Sequence, residues 1–301
     1  MNDPAQFIHV AVLITCFNRR EKTLHSLKTL KAQNLPLGTQ LEIFLVDDGS
    51  TDGTGDAVTQ KHPDINLIRS KGNLYWNQGM RLAWKTAMQR RRYDYYLLLN
   101  DDTELFVDAI VKLIETENSI KRETGNAGVI VGSTIDPVTK CLTYGGNNRL
   151  SGLLGRGFRF RRVEPGDKPV ICDTFNANCT LISKQIVDDV GILSDGYSHG
   201  MGDYDYGLRA NEKGYSCWIA PGYIGYCAVN DLTNTWLDPD IPLGQRRKLR
   251  NSPKGMPTEE WLYFVKRHAR HLWVLAWLQL NLRTYFPKAW SVLRKLRNIP
   301  R

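Results

Sequence analysis

The sequence predicts an α/β protein built on a Rossmann-like, mostly parallel sheet, with a mixed second half and a C-terminal helical extension. Three features carry that reading. Short apolar runs ending in polar residues alternate with segments of helical periodicity through the first third. From about Ala127 the runs are separated by Gly-rich and basic turns. The stretch 259–301 combines Trp and Leu at helical density with a strong excess of basic residues.

The elements follow in order. Val10–Thr15 and Leu41–Val46 read as buried strands, and between them Glu21–Gln33 sets Leu24, Leu27 and Leu30 at helical spacing. Ser50 or Asp52 caps a helix running through Ala57 and Val58. Ile65–Ile68 is a third strand, and the helix near Asn77–Arg91 lines up Met80, Ala83, Trp84 and Ala87 on one face. Tyr95–Leu99 is a fourth strand and Val107–Ile120 the helix after it. Strand–helix repetition of this kind implies parallel βαβ units, the arrangement of a nucleotide-binding half. Val129–Ile135, Cys141–Tyr144 and Thr180–Ile182 read as strands of the second half, with Gly152–Arg162 as a basic turn. Asp203–Lys213 is a helix stopped by Gly214, and Ser216–Ala220 a further strand. Asp238–Pro257, with four prolines among basic residues, reads as a connecting loop; Glu259–Asn298 is helical with a break at Pro287. The expected division is therefore a catalytic domain over 1–237, a linker over 238–258 and a helical region over 259–301.

Composition bounds the function. At 301 residues, 42% hydrophobic and 24% charged, the chain is globular rather than disordered, with room for one large domain or two small ones. The net charge of +9 is uneven: residues 241–301 hold 14 Lys/Arg against 2 Asp/Glu, while the rest carries 26 basic and 29 acidic residues. The basicity belongs to the tail, and no nucleic-acid motif accompanies it, which argues against a nucleic-acid partner. Six scattered cysteines form no CxxC pair, the pattern of reduced thiols in a cytoplasmic protein. Phe7–Cys16 and Leu272–Leu282 are both too short to span a bilayer, and no basic segment precedes the first.

Two acidic clusters fall where an open α/β sheet binds its ligands, at the carboxyl ends of strands. These are Asp47-Asp48-Gly49-Ser50-Thr51-Asp52 after the second strand and Asn100-Asp101-Asp102-Thr103 after the fourth. Either alone also fits helix caps and turns; together they suit a hard divalent cation, Mg²⁺ or Mn²⁺, on a diphosphate. No GxxxxGK[ST] loop is present, which disfavours a P-loop enzyme.

Ile14-Thr15-Cys16-Phe17-Asn18-Arg19, Val46-Asp47-Asp48-Gly49-Ser50-Thr51-Asp52, Leu98-Leu99-Asn100-Asp101-Asp102 and Met201-Gly202-Asp203-Tyr204-Asp205 resemble, in order, the signatures of family 2 glycosyltransferases. The bacterial rhamnosyl- and galactosyl-transferase-like members are the nearest in character. The resemblance spans about residues 8–230 and implies a GT-A fold, a nucleotide-diphosphate sugar donor, a divalent cation and inversion at the anomeric carbon. It places Thr15 by the nucleotide, Asp48 on the base, Asp101 near ribose or metal and Asp102 on the metal, with Asn18, Arg19 and Asn73 completing the donor side. Gly72-Asn73-Leu74 fits a tight turn with a helix cap equally well.

Asp203 is the general-base candidate, because direct displacement at a sugar carbon needs a carboxylate to take the acceptor hydroxyl's proton. Its alternative is simple favour for a helix N-terminus. Gly202 stands where the family carries a second carboxylate, and Tyr226-Cys227-Ala228 where some relatives carry a metal-binding His; Asn230 or Asp231 are the substitutes nearby. His199, Asp205 and Asn178 form the acceptor-side set, with an ordinary loop histidine the competing reading of His199.

The tail's four tryptophans and its Lys/Arg suit an anionic membrane surface or, alternatively, packing on the catalytic domain or a second subunit. The expected partners are a glycan or lipid-linked acceptor and the inner face of the cell membrane. The rival readings are a sugar-nucleotide nucleotidyltransferase and a non-catalytic membrane-associated glycan-binding module. The first lacks its Gly-rich phosphate loop at Thr15-Cys16-Phe17-Asn18; the second is opposed by intact Asp48, Asp101, Asp102 and Asp203.

Overall fold

The run IHVAVLITC forms β1 (Ile8–Cys16), with Val10–Ile14 wholly buried. A strand apolar on both faces belongs in the middle of a sheet covered on each side by helices, and β1 lies there. In the computed structural model, which describes residues 7–150, 158–229 and 233–290, the first half continues with α1 (Arg20–Lys31), β2 (Thr39–Asp47), α2 (Thr54–Lys61), β3 (Asn66–Arg69), α3 (Tyr75–Arg90) and β4 (Tyr95–Leu99). β1 pairs in parallel with β2 on one side and β4 on the other, and β3 extends the sheet beyond β2. After β3 the chain thus crosses back over β1, and the strand order reverses between β1 and β4. α3 buries Met80, Ala83, Trp84 and Ala87 against Leu13, Phe44 and Tyr96 on one face. Leu24, Leu27 and Leu30 of α1 cover the other.

The second half adds β5 (Glu104–Leu105), α4 (Ala109–Thr124), β6 (Val129–Ile135), β7 (Leu142–Tyr144), β8 (Gly146–Arg149), β9 (Phe160–Arg162), β10 (Val170–Cys172), β11 (Thr174–Phe175), β12 (Cys179–Ser183), α5 (Lys184–Val190), α6 (Gly202–Glu212) and β13 (Cys217–Tyr226). β12 runs antiparallel to both β4 and β6, and this insertion makes the sheet mixed. The order is β10-β13-β6-β12-β4-β1-β2-β3, with β5 and β7 paired off that path and a separate ribbon β11-β8-β9. Part of the predicted basic turn Gly152–Arg162 is therefore strand β9, and residues 151–157 lie outside the described residues.

The tail departs from expectation. The stretch 238–257, predicted as a connecting loop, contains α7 (Leu243–Asn251). Guanidinium groups rather than an apolar stripe hold this helix. Arg246, only 4% exposed, donates to the carbonyls of Asp238, Pro239, Ile241 and Thr284. α8 (Thr258–His268) and α9 (Trp273–Tyr285) follow, so the predicted helix is interrupted at Ala269 as well as at Phe286, just before Pro287. Its predicted end, 291–298, lies outside the described residues. Trp261, Phe264 and Val265 of α8 pack with Ala276 and Leu280 of α9 against Phe158, Tyr197 and Leu208. Burying side chains of that size contributes about 1.5–3 kcal/mol each, so the tail is part of the fold. Among the described residues no helix is long and apolar enough to cross a membrane. All six cysteines are free, and only Cys141 is exposed.

Candidate active site

Parallel strands of matched register end together, and here β1 and β2 stop side by side, Cys16 opposite Asp47. Beyond them and β4 opens a cavity of about 550 Å³ whose wall includes Thr15, Arg19, Asp48, Asn73, Asp101 and His199. It lies at the reversal of strand order, where α/β sheets take their ligands. α3 passes so close to Thr15 that only a glycine fits at position 79: a Cβ there would collide with the Thr15 hydroxyl.

Asp48 shapes one side of the cavity. Its Oδ1 accepts hydrogen bonds from Ser70 Oγ (2.6 Å) and the Leu74 N–H (3.1 Å), and its Oδ2 from the Tyr75 N–H (2.8 Å). The loop so held has Gly72, Asn73 and Tyr75 at φ of 92°, 68° and 54°. A bulky residue in the left-handed region is strained, and the buried carboxylate supplies the hydrogen bonds that keep it there. Asn18, also left-handed, braces the loops after β1 and β2: its N–H donates to Ser50 Oγ (2.9 Å) and its Oδ1 accepts from the Thr51 N–H (2.7 Å). Asn18, like Asp102 and Asp203, stands behind the residues that line the cavity wall.

Arg19 faces the aspartates that follow β4. Its Nη1 lies 3.1 Å from Asp101 Oδ1 and 2.7 Å from Asp102 Oδ2. Burial opposes the guanidinium charge, but the two carboxylates outweigh it and raise its pKa. Burial pushes the Asp101 carboxyl up to about 6 in spite of Arg19. Asp102 turns instead toward a small cavity of about 90 Å³ beside Tyr226 and Cys227. The Cys227 thiol, pushed up to about 12 chiefly by burial, donates to Asp102 Oδ1 at 3.7 Å and accepts from Asn178 Nδ2 at 3.4 Å. Asn178, expected on the acceptor side, is buried and linked to Asp102 through the Cys227 thiol. Asn230 and Asp231 lie outside the described residues, and among those described no third His, Cys, Asp or Glu completes a metal-binding group.

The first turn of α6 separates its two aspartates. Asp203 Oδ1 accepts from the Tyr204 N–H (2.9 Å) and Oδ2 from the Ala177 N–H (3.3 Å), while burial pushes the carboxyl up to about 6. Asp205 points the other way and is 0% exposed, bound to Arg209 Nε (2.8 Å), His268 Nε2 (2.9 Å) and Tyr197 OH (3.3 Å). Burial raises its pKa most, but His268, Arg209 and Arg267 together hold it below the ordinary carboxylate range. Asp205, expected on the acceptor side, thus ties α8 to α6 and is closed off from solvent.

A profile of the Glycosyl transferase family 2 matches residues 11–186, more than half the chain. The chain belongs to glycosyl transferase family 2. N-acetylglucosaminyl-diphospho-decaprenol L-rhamnosyltransferase of Mycobacterium tuberculosis is 24% identical to it over 219 residues, 65% of this chain and 69% of that enzyme. Poly-beta-1,6-N-acetyl-D-glucosamine synthase of Staphylococcus epidermidis is 23% identical over 229 residues, 72% of this chain and 51% of the relative. The mannosyltransferase PcManGT from Pyrobaculum calidifontis, solved with GDP-Man and Mn²⁺, superposes at a TM-score of 0.56 and 15% identity, covering 99% of this chain and 78% of that one. GalNAc-T7 with UDP, GalNAc and Mn²⁺ does so at 0.55 and 13% identity, covering 71% and 42%. The fold is the GT-A fold.

In this glycosyltransferase the missing second carboxylate has a steric reason. A Cβ at position 202 would collide with the Asn77 side chain, which is fully buried and donates to the carbonyls of Ser194 and Tyr197 (both 2.8 Å). His199, on the loop so held, reaches the cavity and accepts from the Trp76 N–H (3.4 Å). Burial first, then Lys254 and Arg19, push its pKa down to about 4, so its imidazole is neutral at pH 7. Sequence reasoning missed Lys71, Tyr75, Trp76, Ser252, Pro253 and Lys254 on the cavity wall. The Trp76 indole donates to Asn100 Oδ1 at 2.7 Å, a brace between α3 and β4 that no periodicity marks. Lys254 sits between Pro253 and Pro257 in the supposed linker; its pairing with Pro253 and Ser252 on the wall shows that the tail completes the site.

Proposed function

We propose that this enzyme transfers a sugar, with inversion at the anomeric carbon, from a nucleoside-diphosphate sugar to a hydroxyl of a glycan or lipid-linked glycan. The observation that carries the reading is the cavity at the ends of β1, β2 and β4, lined by Thr15, Arg19, Asp48, Asn73 and Asp101. Asp48, by fixing the 70–75 loop, shapes the nucleotide side. Asp101 and Asp102 each offer a carboxylate oxygen, both held by Arg19, and a Mg²⁺ or Mn²⁺ completed by phosphate and water would take these oxygens in place of the guanidinium. Such a cation, when bound, neutralises charge on the departing diphosphate. Arg19 and Lys254 supply further positive charge on the same wall.

Asp203 is the proposed base: its raised pKa places it close to the operating range of a proton acceptor. His199, neutral and on the wall of the same cavity, is proposed as a hydrogen-bonding group for the incoming acceptor. The names of the curated relatives support an acceptor in surface polysaccharide synthesis. The exposed face of α9 supports a place on an anionic membrane surface. There Trp273, Val274, Trp277 and Leu278 are each 42–51% exposed, and Lys266 Nζ lies 5.4 Å from the Trp273 ring centre.

A thermal-shift panel of nucleotide sugars, each with and without Mn²⁺, tests the donor reading. One metal-dependent hit is expected, and that donor must then be turned over on adding acceptor. No stabilisation by any nucleotide sugar would overturn it.

A further inference from the structure

A second cavity, of about 370 Å³, lies between α6, the β8–β9 ribbon and the tail. Its size is within the roughly 300–1,000 Å³ of small-molecule sites. Phe158, Phe160, Trp261 and Leu280 give it an apolar wall, and Met201 and Met256 add flexible thioether side chains. Two guanidinium groups, Arg159 and Arg283, line the same space. Arg159 Nη2 donates to Gln279 Oε1 at 3.0 Å, and the Arg283 guanidinium lies 4.9 Å from the Trp236 ring centre, so both are positioned by neighbours inside the fold.

The cavity's place in the fold narrows what it takes. His199 faces the donor cavity and Met201, two residues on, faces this one; Lys254 faces the donor cavity and Met256 this one. The segments 199–201 and 252–256 each reach from one cavity to the other, and Met201 is followed by Gly202 and Asp203. On the far side, α9 presents Ala276 and Leu280 to the cavity and Trp273, Trp277 and Leu278 to solvent. An apolar chamber with two fixed cations, next to the donor and under an exposed apolar helix face, is complementary to a molecule with a hydrocarbon chain and an anionic head.

We infer that this cavity seats the lipid part of the acceptor: a single hydrocarbon chain ending in phosphate or diphosphate, the chain against Phe158, Phe160, Trp261 and Leu280 and the head on Arg159 and Arg283. The inference rests on the glycosyltransferase reading above and narrows its acceptor to a lipid-linked one. The Arg pair recognises the head by charge-assisted hydrogen bonds, and the apolar wall gives affinity without demanding one chain length.

Titration calorimetry of the full chain with farnesyl phosphate, farnesol and inorganic phosphate tests it. Farnesyl phosphate is expected to bind at least tenfold tighter than farnesol, with no measurable binding of inorganic phosphate. R159Q/R283Q should weaken farnesyl phosphate at least tenfold and leave farnesol unchanged. A276F, which fills the cavity, should abolish both, and Q279W does the same should A276F fail to fold. Equal binding of farnesol and farnesyl phosphate, or of phosphate alone, would overturn the assignment, as would full affinity in A276F and Q279W. Nucleotide-sugar stabilisation, measured on the same preparations, separates the two readings. Donor binding without lipid binding removes only this inference, whereas lipid binding without any donor removes the transferase reading it rests on.

Discussion

Asp203 is a half-buried residue whose carboxyl is shielded from water at a helix N-terminus, and desolvation and the backbone N–H groups there act in opposite directions. Burial wins and leaves it near 6, so the base form should accumulate as pH rises through that value. Asp203→Asn is expected to lower transfer about 10²–10⁴-fold and to remove the acid limb of the pH–rate profile, with donor binding retained. The same substitution should leave thermal stability at pH 7 unchanged or raised. Between the ordinary carboxylate range and about 6 the folded chain holds the extra proton, so ionisation of Asp203 and Asp101 subtracts stability as pH rises through that window. His199 has the opposite sign: kept neutral down to about 4 by burial, it subtracts stability as pH falls below the ordinary histidine range. Asp102→Ala should abolish the Mn²⁺ dependence of donor binding while the fold persists; an unchanged metal effect would take Asp102 out of the cation site. At this scale the sequence reveals identity better than direction. Both aspartates of α6 are visible in it, yet only the packing of α8 turns Asp205 inward and leaves Asp203 with Ala177.

Elements were legible where one periodicity ruled them. β1, β2 and β4 are buried on both faces and read as continuous apolar runs; α3 and α4 show their core stripe directly. α7 does not, because its buried residues are Arg246 and Arg250, whose value here lies in donated hydrogen bonds that hydropathy counts as exposure. Pro242 just ahead of it and the i,i+4 pair of arginines were the available signals. α8 likewise depends on partners distant in sequence: Glu260 accepts from the Ser198 N–H (3.2 Å) and hydroxyl (2.6 Å), and His268 Nε2 donates to Asp205 (2.9 Å). This gives an element-scale test. Asp205→Asn, which leaves Arg209 and Arg267 facing a neutral amide, should destabilise by roughly 3–5 kcal/mol, the usual penalty for breaking a buried ion pair. Differential scanning calorimetry at pH 7 reads it directly, and no loss of Tm would mean that α8 is held by its apolar face and Glu260 without help from Asp205.

For the whole molecule, the charge split seen in composition is a split in space only along the tail, since α7–α9 pack on the catalytic half through Trp261, Phe264 and Leu280. Removing residues 259–301 is therefore expected to give aggregated or unfolded protein, so it does not isolate membrane binding. Trp273→Ser with Trp277→Ser does, both side chains being 42% exposed. The pair should release the protein from anionic liposomes in sedimentation while Tm and nucleotide-sugar binding hold; sedimentation equal to the unaltered chain would leave the exposed α9 face without that role. The two-segment partition at 199–201 and 252–256 has a thermodynamic corollary. If a guest in one chamber displaces the partition, the free energy of that displacement enters the affinity of the other chamber with equal size in both directions. Reciprocity then fixes the form of any cooperation between donor and acceptor: whatever factor a nucleotide adds to lipid affinity, lipid must add to nucleotide affinity, and a factor of one would mark a partition that stands still.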